Sequence, residues 1–422
     1  MINAKLYNKS NALQKTNTLK CLEEYKNIIN WKIDSTILDI GCGDGSLSSK
    51  IFKEIIPTCK TMTGCDISED MIRFANEHYA SERVNFTTLN IEGELPDQLR
   101  NRFHHAISFF ALNWCPRQET AFQNIYDMLR DQGSCFAIVT GKESLFDAYR
   151  TLAKNEKWKP WVFDVERYIS PYHDSQDSLK EMQQLLDKIG FTVTKLELKM
   201  IFHEYENFEK LKGGIMSVVP FKIPDELYDD FFIDLSQEMQ MVDTETYNYK
   251  KSSNDFVFNV QILVLYVEKK TAFQNIYDIL RDQGSCFAIV AEKASLFDAY
   301  RTLAKAEKWK PWVFDVERYI SPYHDSQDSL KEMQQLLGKI GFTITKLEVK
   351  IVNHVYESQE NFKGALMSLV PFKIPDELRD DFLIDLSQEI QMIDTEKYNY
   401  KKSTNDNVHN VQILVLYYVE KK

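Results

Sequence analysis

The sequence predicts an α/β fold with a doubly wound, mostly parallel sheet, a helical cap and a partial repeat of its C-terminal half. Three observations predict it. Short apolar segments alternate with amphipathic segments over residues 36–139, which is typical of consecutive β-α units. A glycine-rich turn at 39–45 follows the first apolar segment. Residues 271–417 repeat residues 120–266 at a constant offset of 151.

The repeat decides the domain organisation. The glycine-rich turn lies in the part of the chain that occurs once, so the second copy has no counterpart of it. A spacing of about 150 residues is too long for a solenoid or propeller unit and indicates tandem duplication. We therefore expect a complete domain over residues 1–270 and a partial repeat without the motif over residues 271–422. No linker precedes Thr271.

Composition and charge exclude several classes of protein. A hydrophobic content of 44% with 27% charged residues is ordinary for a soluble globular chain. The formal net charge of −12 argues against a nucleic-acid partner, because no basic tract is available to neutralise phosphates, and it favours a small-molecule substrate. The seven cysteines include no C-x-x-C pair, which predicts free thiols and no zinc site. No apolar run reaches the ~18 residues that a membrane span needs, and the N-terminus does not resemble a signal peptide, so we expect a cytoplasmic protein.

The spacing of apolar residues predicts each element in turn. Residues 4–30 have helical spacing and predict one or two helices. Strands are expected at 36–40, 61–67, 85–91, 105–112 and 134–139. Helices are expected at 46–55, from Ser68 as N-cap to Tyr79, and at 121–130.

Beyond residue 139 the pattern is looser. Helices are expected at 144–158 and 175–189, with an aromatic connector between them. Alternating runs at 191–202 and 256–267 predict strands, and the segment 207–243 is mostly helical. The segments 142–190 and 206–243 are larger than simple connections need, so we expect them to form a lid or cap.

The glycine turn carries the strongest chemical signal. The segment Asp39-Ile40-Gly41-Cys42-Gly43-Asp44-Gly45 lies between a predicted strand and a predicted helix. Glycines let the backbone approach a ligand where a Cβ would clash, and a helix N-terminus offers free N–H groups. Asp66 follows Gly45 by 21 residues and ends the second predicted strand, where a ribose diol would lie. Together the signals predict a nucleoside cofactor; the alternative is a tight strand–helix turn without a ligand.

The glycine spacing distinguishes this motif from that of dinucleotide-binding folds. An acid precedes glycines at 41, 43 and 45, whereas those folds have Gly-x-Gly-x-x-Gly. The segment resembles the first motif of class I S-adenosylmethionine-dependent methyltransferases, which are Rossmann-like. Asn90 and Ile91 stand where that family usually has an acidic residue that binds the adenine amino group, followed by an apolar residue on the adenine face. Asparagine is a departure, but its side-chain oxygen can still accept an N–H bond.

Several further segments resemble insect juvenile hormone acid O-methyltransferases. They occur in order along the chain, at residues 4–15, 39–46, 64–71, 90–95, 108–114 and 167–174. The resemblance runs from the first residues to about Lys270, and the second copy resembles the C-terminal half of the same family. It implies S-adenosyl-L-methionine as the cofactor, held by the glycine turn and the strand ends: Asp39, Gly41, Cys42, Gly43, Gly45, Asp66, Ile67, Asn90, Ile91 and Ser108.

The resemblance also implies a substrate and the residues that orient it. The family methylates farnesoic acid or juvenile hormone acid, an apolar chain that ends in a carboxylate, and Gln14 and Trp114 would hold that carboxylate. Both side chains are neutral N–H donors, which fix the group without the tight ion pair of a lysine or arginine. The alternatives are a solvated helix residue for Gln14 and a core residue for Trp114. Asn113 stands where the family more often has histidine.

Methyl transfer to a carboxylate needs little acid–base help, because the acid is already ionised at neutral pH and the sulfonium is a good leaving group. The expected tasks are orientation and the exclusion of water. We therefore interpret four histidines as structural or surface residues: His104, His105, His173 and His203. The apolar tail needs a pocket, and the cap offers these candidates: Trp158, Trp161, Phe163, Tyr168, Phe202, Met216 and Phe221.

Other interpretations stay open. The chain could be an inactive or binding protein whose repeat obstructs the site, a fusion of two neighbouring genes, or a relative that methylates another fatty or small carboxylic acid; a homodimer is a further expectation. We expect the first copy to complete the sheet and the second to keep an unpaired strand edge. The reason is the exchange of three aromatic residues, Phe202, Phe256 and Phe258, for Asn353, Asn407 and His409 in the second copy.

Overall fold

The computed structural model describes residues 4–29, 31, 33–245, 257–314, 316–355, 358–396 and 408–421. The chain divides into two units, Met1–Lys270 and Thr271–Lys422. Five of the six residues in the aromatic exchange lie outside the described side chains, so that comparison stays a prediction: Phe202, Phe256, Asn353, Asn407 and His409.

A seven-stranded sheet forms the first unit. Its strands are β1 (Thr36–Ile40), β2 (Thr61–Asp66), β3 (Val84–Thr88), β4 (Phe103–Phe109), β5 (Leu129–Glu143), β6 (Phe191–Glu204) and β7 (Val257–Lys269). Its helices are α1 (Ala4–Ser10), α2 (Ala12–Tyr25), α3 (Ser46–Glu54), α4 (Glu69–Tyr79), α5 (Gln118–Met128), α6 (Ser144–Lys154), α7 (Ser178–Ile189), α8 (Phe208–Met216) and α9 (Tyr228–Glu245). The strand order is β3-β2-β1-β4-β5-β7-β6, and β7 runs antiparallel to both of its neighbours. The prediction of a doubly wound, mostly parallel sheet is confirmed, and the strands beyond β4 come from the first copy.

Helices cover both faces of this sheet. On one face, Phe122 of α5 and Met182 of α7 lie in the same buried cluster as Ala137 of β5. On the other face, Leu22 of α2 packs in a cluster that contains Phe136 of β5. Successive residues of β5 therefore point into opposite buried layers, as expected for a strand covered on both faces.

Local hydrogen bonds set the boundaries of these elements. Ser68 caps α4 as predicted, because its Oγ accepts a hydrogen bond from the backbone nitrogen of Met71 at 3.4 Å. β3 ends at Thr88, earlier than predicted. The reason is a turn in which Oδ1 of Asn90 accepts a hydrogen bond from the backbone nitrogen of Glu92 at 3.0 Å.

Helices α6, α8 and α9 form the cap, together with the segment that follows α6. Their apolar side chains, including Trp158, make a cluster separate from those of the sheet. The assignment of residues 142–190 to the cap is wrong for α7, because Met182 on its apolar face lies in the sheet cluster. The cap therefore comprises residues 144–169 and 208–245.

The second unit repeats the elements of the first copy from α5 onward. They are α10 (Ala272–Ile279), β8 (Ser285–Ala294), α11 (Ser295–Leu303), α12 (Ser329–Ile340), β9 (Phe342–Val355), α13 (Gln359–Leu369), α14 (Arg379–Glu396) and β10 (Val408–Lys421). The three strands form an antiparallel sheet in the order β8-β10-β9, so β8 is an edge strand.

Some features bear on the chemistry of the whole chain. The seven cysteines are free thiols. Within the described ranges, no helix combines the length and the apolar character that crossing a membrane requires. The described side chains also include no group of three or more His, Cys, Asp or Glu residues placed to hold a metal ion.

Candidate functional site

The glycine turn after β1 has a backbone that glycine adopts far more readily than other residues. Gly41, Gly43 and Gly45 have φ angles of 71°, 54° and 75°. Space is also short, because a Cβ on Gly41 would lie 2.1 Å from the Cβ of Ala111, and one on Gly45 would lie 2.7 Å from the Cβ of Ala75. The turn is therefore packed tightly at the carboxyl end of β1, the edge at which open α/β sheets bind ligands.

Asp66 joins this turn to the end of β2. Its Oδ2 accepts a hydrogen bond from the backbone nitrogen of Gly43 at 3.0 Å, and its Oδ1 accepts one from that of Ser68 at 2.9 Å. Burial raises the pKa of Asp66 above its ordinary value, while backbone hydrogen bonds from Ser68, Gly43 and Ile67 oppose that shift. A carboxylate has about four lone-pair sites, so the group can still accept a hydrogen bond from a ligand.

Asp39 is buried on β1, just before the turn. Its Oδ2 accepts a hydrogen bond from Oγ of Ser48 on α3 at 2.6 Å. Burial raises the pKa of Asp39 to about 7, although the Ser48 hydrogen bond lowers it, and the charge of Asp66 raises it further. A cation bound beside this carboxyl group would favour its charged form.

Asp44, which was not among the predicted site residues, fastens α1 and the residue after it to the glycine turn. Its Oδ2 accepts hydrogen bonds from Nδ2 of Asn8 at 2.7 Å and of Asn11 at 3.3 Å. Its Oδ1 accepts one from Oγ of Ser46 at 2.6 Å. The acid within the motif was a visible signal, but its two asparagine partners stand 36 and 33 residues away in the chain. Only the fold brings them together.

The other predicted cofactor residues differ in exposure. Ile67 is 65% exposed directly after β2, and Asn90 is exposed in the turn after β3. Ile91 is buried in the sheet cluster, and Cys42 is buried in the glycine turn, where burial raises the pKa of its thiol. Ser108 is buried on β4, and its Oγ donates a hydrogen bond to the last carbonyl of β1 at 3.0 Å. This serine therefore fastens β4 to β1.

Two cavities meet at this edge of the sheet. The smaller, which we call the turn cavity, has a volume of about 30 Å³ and is lined in part by Asp39 and Gly41. The larger, which we call the cap cavity, has a volume of about 80 Å³ and is lined in part by the cap. Tyr7, Gln14 and Phe110 line both cavities. A ligand group in the turn cavity and a ligand group in the cap cavity would therefore lie close together, because the two cavities share these three lining residues.

Phe110 is held in an unusual conformation between the two cavities. Its φ angle is 54°, in the left-handed region that bulky residues rarely adopt. Its backbone nitrogen donates a hydrogen bond to the carbonyl of Ile138 at 2.9 Å, which holds the residue in place. Strained backbone of this kind clusters at binding sites, and no sequence pattern reveals it.

Gln14 and Trp114 both line the cap cavity, so the structure brings together the two residues expected to orient the substrate. Oε1 of Gln14 is buried without a hydrogen-bond partner. With the Asn113 amide turned so that its nitrogen donates to the carbonyl of Phe110 at 3.1 Å, its oxygen accepts the indole N–H of Trp114 at 3.2 Å. The indole also packs edge-on against Phe146, with ring centroids 6.1 Å apart. Asn113 and Phe146 together orient Trp114.

The walls of the cap cavity differ from the aromatic residues proposed from the sequence. Trp158 is buried in the core of the cap, where its indole donates a hydrogen bond to Asp234 at 2.8 Å. The other candidates with described side chains, except the exposed Phe163, also pack in or against that core: Trp161, Tyr168, Met216 and Phe221. The cavity is lined instead by smaller apolar residues of the cap, including Ile215, Val218 and Met239.

Three of the four histidines have structural partners, as predicted. Their ring nitrogens lie 3.0 Å from the backbone nitrogen of Thr36 for His104, 2.8 Å from Oγ of Ser134 for His105, and 3.2 Å from Oδ2 of Asp147 for His173.

His203 differs from the other three histidines, because it lines the cap cavity. The strand β6 continues past its predicted end to Glu204, and this extension carries the imidazole under the cap. Burial lowers the pKa of His203 to about 4, so the ring is neutral at physiological pH. Its Nε2 is buried without a hydrogen-bond partner.

Known proteins are similar to this chain over the same residues. A family model described as a methyltransferase domain matches residues 37–133, which include the glycine turn and Asp66. The chain is 40% identical over 274 residues to the juvenile hormone acid O-methyltransferase of Bombyx mori, covering 64% of this chain and 98% of that protein. The chain belongs to the juvenile hormone acid O-methyltransferase family. The Drosophila melanogaster protein of the same name is 31% identical over 285 residues, covering 65% of this chain and 95% of that protein.

Membership of this family makes the chain an S-adenosylmethionine-dependent O-methyltransferase. Among solved structures, the YcgJ protein of Bacillus subtilis matches with a TM-score of 0.42 and 14% identity, over 60% of this chain and all of that protein. The chemistry of the residues around the turn cavity suits the cofactor, because three buried carboxylates, Asp39, Asp44 and Asp66, suit a positively charged sulfonium and a ribose diol.

Proposed function

We propose that this juvenile hormone acid O-methyltransferase homologue methyl-esterifies the carboxylate of a lipophilic sesquiterpenoid acid, namely juvenile hormone acid or farnesoic acid. The observation that carries the proposal is the shared wall of Tyr7, Gln14 and Phe110, which places a cofactor-type cavity beside a cavity lined by apolar cap residues. The similarity to two insect juvenile hormone acid O-methyltransferases supports this choice of substrate.

The proposed cofactor residues lie at the ends of several strands, and each strand end would contact a different part of the ligand. S-adenosylmethionine supplies an activated methyl group when it is bound. Asp66 would accept hydrogen bonds from the ribose, as a carboxylate at the end of the second strand does in related folds. Asn90 and the exposed Ile67 would contact the adenine. Ile91, the apolar residue after Asn90, would lie against the adenine face. The remaining proposed residues form or fasten the turn: Asp39, Gly41, Cys42, Gly43, Gly45 and Ser108.

Gln14 and Trp114 are proposed to orient the substrate carboxylate. The amide oxygen of Gln14, which lines the cavity, has no hydrogen-bond partner. Rotation of this amide toward the substrate therefore breaks no hydrogen bond at that oxygen. The indole N–H of Trp114 faces the Asn113 oxygen in this structure and can be shared with a second acceptor. The carboxylate is already ionised at neutral pH, so these residues need only orient it and exclude water.

We propose that α1 moves when the cofactor binds. The turn cavity, at about 30 Å³, has room for about two waters, and hydrogen bonds from Asn8 and Asn11 to Asp44 fasten α1 and the residue after it beside this cavity. We propose that breaking these bonds admits the cofactor, and that their return closes the site to water.

The proposal extends to the organisation of the protein. Residues 1–270 are the catalytic domain, with the cap over the apolar tail of the substrate, and residues 271–422 are a partial repeat without a cofactor motif. We also propose a cytoplasmic location. The homodimer stays a prediction.

A panel of acids tests the proposed function. The purified full chain is incubated with S-adenosylmethionine and, separately, farnesoic acid, a straight-chain fatty acid of similar length and acetate, and kcat/KM is measured for each ester. We expect farnesoic acid to be the best substrate of the three. A higher kcat/KM for the straight-chain acid or for acetate would instead support a relative that methylates other carboxylic acids.

A further inference from the structure

The cap cavity runs along the edge of the sheet across several strands. It is lined by Trp114 in the turn after β4, by Glu143 at the end of β5, by Phe258 near the start of β7 and by His203 near the end of β6. These strands are adjacent in the order β4-β5-β7-β6. The lining of the cavity therefore extends from the turn that follows β4 to the last residues of β6.

The strand order sets the distance between those ends. Neighbouring strands lie ~4.8 Å apart, so the three steps from β4 to β6 span ~14 Å. An extended carbon chain with bonds of ~1.5 Å and tetrahedral angles covers ~14 Å in about eleven bonds. A carboxylate held above the end of β4, where the Trp114 turn begins, would place the atoms about eleven bonds further along an extended substrate above the end of β6, near His203.

His203 lies at the β6 end of this cavity, paired in register with the apolar Phe258 on β7. Tyr205, two residues further along the chain, also lines the cavity. His203 is 9% exposed, and its Nε2 has no hydrogen-bond partner. A buried polar atom without a partner is costly, and a ligand oxygen would remove that cost. Because burial lowers the pKa of this imidazole to about 4, the ring presents one neutral N–H donor and one acceptor.

We infer that His203 hydrogen-bonds an oxygen at the far end of the substrate, about eleven bonds from the carboxylate. This inference rests on the proposed function. The oxygen is that of an ether, an epoxide or a hydroxyl group, each of which can accept the imidazole N–H. His203 is thus a residue that determines specificity, and the enzyme selects an acid oxygenated at its far end over the corresponding hydrocarbon chain.

Glu143 does not fill this role. It stands at the end of β5, one strand from the carboxylate end, and its carboxyl group lies near Asp243 and Tyr205. Burial and the charge of Asp243 raise the pKa of Glu143 to about 7, so the group is partly charged at physiological pH. Among the described polar groups on β6 that line the cavity, the neutral imidazole is the one with a buried atom, Nε2, that has no hydrogen-bond partner.

The test compares two acids that differ only in the distal oxygen: farnesoic acid and its epoxide at the double bond furthest from the carboxylate. The full chain is assayed with both at saturating S-adenosylmethionine. We expect kcat/KM to favour the epoxide about tenfold, the effect of one hydrogen bond of about 1.4 kcal/mol, and the difference to lie in KM. Equal kcat/KM values for the two acids in the parent protein would overturn the role of His203, whereas no methylation of either acid would overturn the proposed function itself.

Variants test whether His203 causes the preference for the epoxide. His203→Phe should bring the ratio of the two kcat/KM values close to one, because it weakens turnover of the epoxide more than that of farnesoic acid; His203→Gln, which keeps an N–H donor, should restore part of the preference. The matched control is His173→Phe, which removes a buried imidazole outside the cavity and should keep the parent ratio. A preference that survives in His203→Phe would overturn the inference. If His203→Phe fails to bind S-adenosylmethionine, the parent ratio and His203→Gln decide.

Discussion

Phe136 and Phe287 occupy the same position in two nearly identical segments, yet Phe136 is 1% exposed and Phe287 is 59% exposed. The ring of Phe136 packs against Tyr25 of α2 and Phe109 of β4, with centroids 5.7 Å and 6.1 Å away. These covering elements belong to the part of the chain that occurs once. The second unit therefore has an apolar face on β8 that suits burial. The second copy contains no counterpart of α2 and β4, which supply the residues that cover the same face in the first unit.

The exposed face predicts a matched difference in stability. Phe136→Ala should lower the free energy of unfolding of the first unit by about 3–5 kcal/mol, because it empties a packed core. Phe287→Ala should change that of the second unit by less than about 0.5 kcal/mol, because the ring is already solvated. Thermal unfolding of the two variants, followed by loss of S-adenosylmethionine binding for the first unit and by circular dichroism for the whole chain, measures both. Equal effects would show that the β8 face is covered in solution.

Removal of the second unit should preserve activity. Cutting the chain after Lys270 leaves all seven strands of the first sheet, the cap and both cavities in place. We expect kcat/KM within about twofold of the parent value and a higher solubility, because the exposed apolar strand edge of β8 is removed. A truncated protein that is unfolded or inactive would show the repeat to be integral to the enzyme.

The local parts of this fold were predictable from the sequence and the tertiary parts were not. The strand β1, the glycine turn and the cap at Ser68 follow from short-range patterns, and the structure confirms them. The packing of α7 against the sheet does not follow from such patterns, because the periodicity of an apolar helix face is the same whether the helix packs on the cap or on the sheet.

The candidate site divides in the same way. Asp39 and Asp66 belong to a spacing that the sequence displays, whereas Asp44 depends on α1 reaching the turn from over thirty residues away. The position of His203 in the cap cavity was not predictable, because a lone histidine near a strand end carries no sign of the cavity that it lines. The positive φ of Phe110 likewise arises only when β4 meets β5.

Gln14 and Trp114 should affect turnover more than cofactor binding. Gln14→Ala and Trp114→Phe each remove one N–H donor from the cap cavity, so we expect kcat with farnesoic acid to fall about tenfold or more. The Kd for S-adenosylmethionine, measured by calorimetry, should change less than about twofold. Gln183→Ala, on α7 outside both cavities, is the control. The assignment fails if both variants methylate farnesoic acid as fast as the parent protein.

Binding of the charged cofactor should release a proton from Asp39. Its pKa of about 7 in the ligand-free site leaves the carboxyl group about half protonated at pH 7. A sulfonium nearby favours the charged form and lowers that pKa, so protons leave on binding. Calorimetry at pH 7 in buffers of different ionisation enthalpy should give a release of about 0.5 proton for S-adenosylmethionine and less for S-adenosylhomocysteine, which lacks the positive charge. In Asp39→Asn the difference between the two ligands should vanish; a difference that persists would place the titrating group elsewhere.

The most direct test of the account follows the methyl group itself. The full chain is mixed with S-adenosylmethionine carrying a trideuterated methyl group and with farnesoic acid, and the organic products are analysed by mass spectrometry. The account predicts methyl farnesoate that carries all three deuterons, together with one equivalent of S-adenosylhomocysteine for each ester formed. Tight binding of the cofactor without ester formation from farnesoic acid or its epoxide would contradict it.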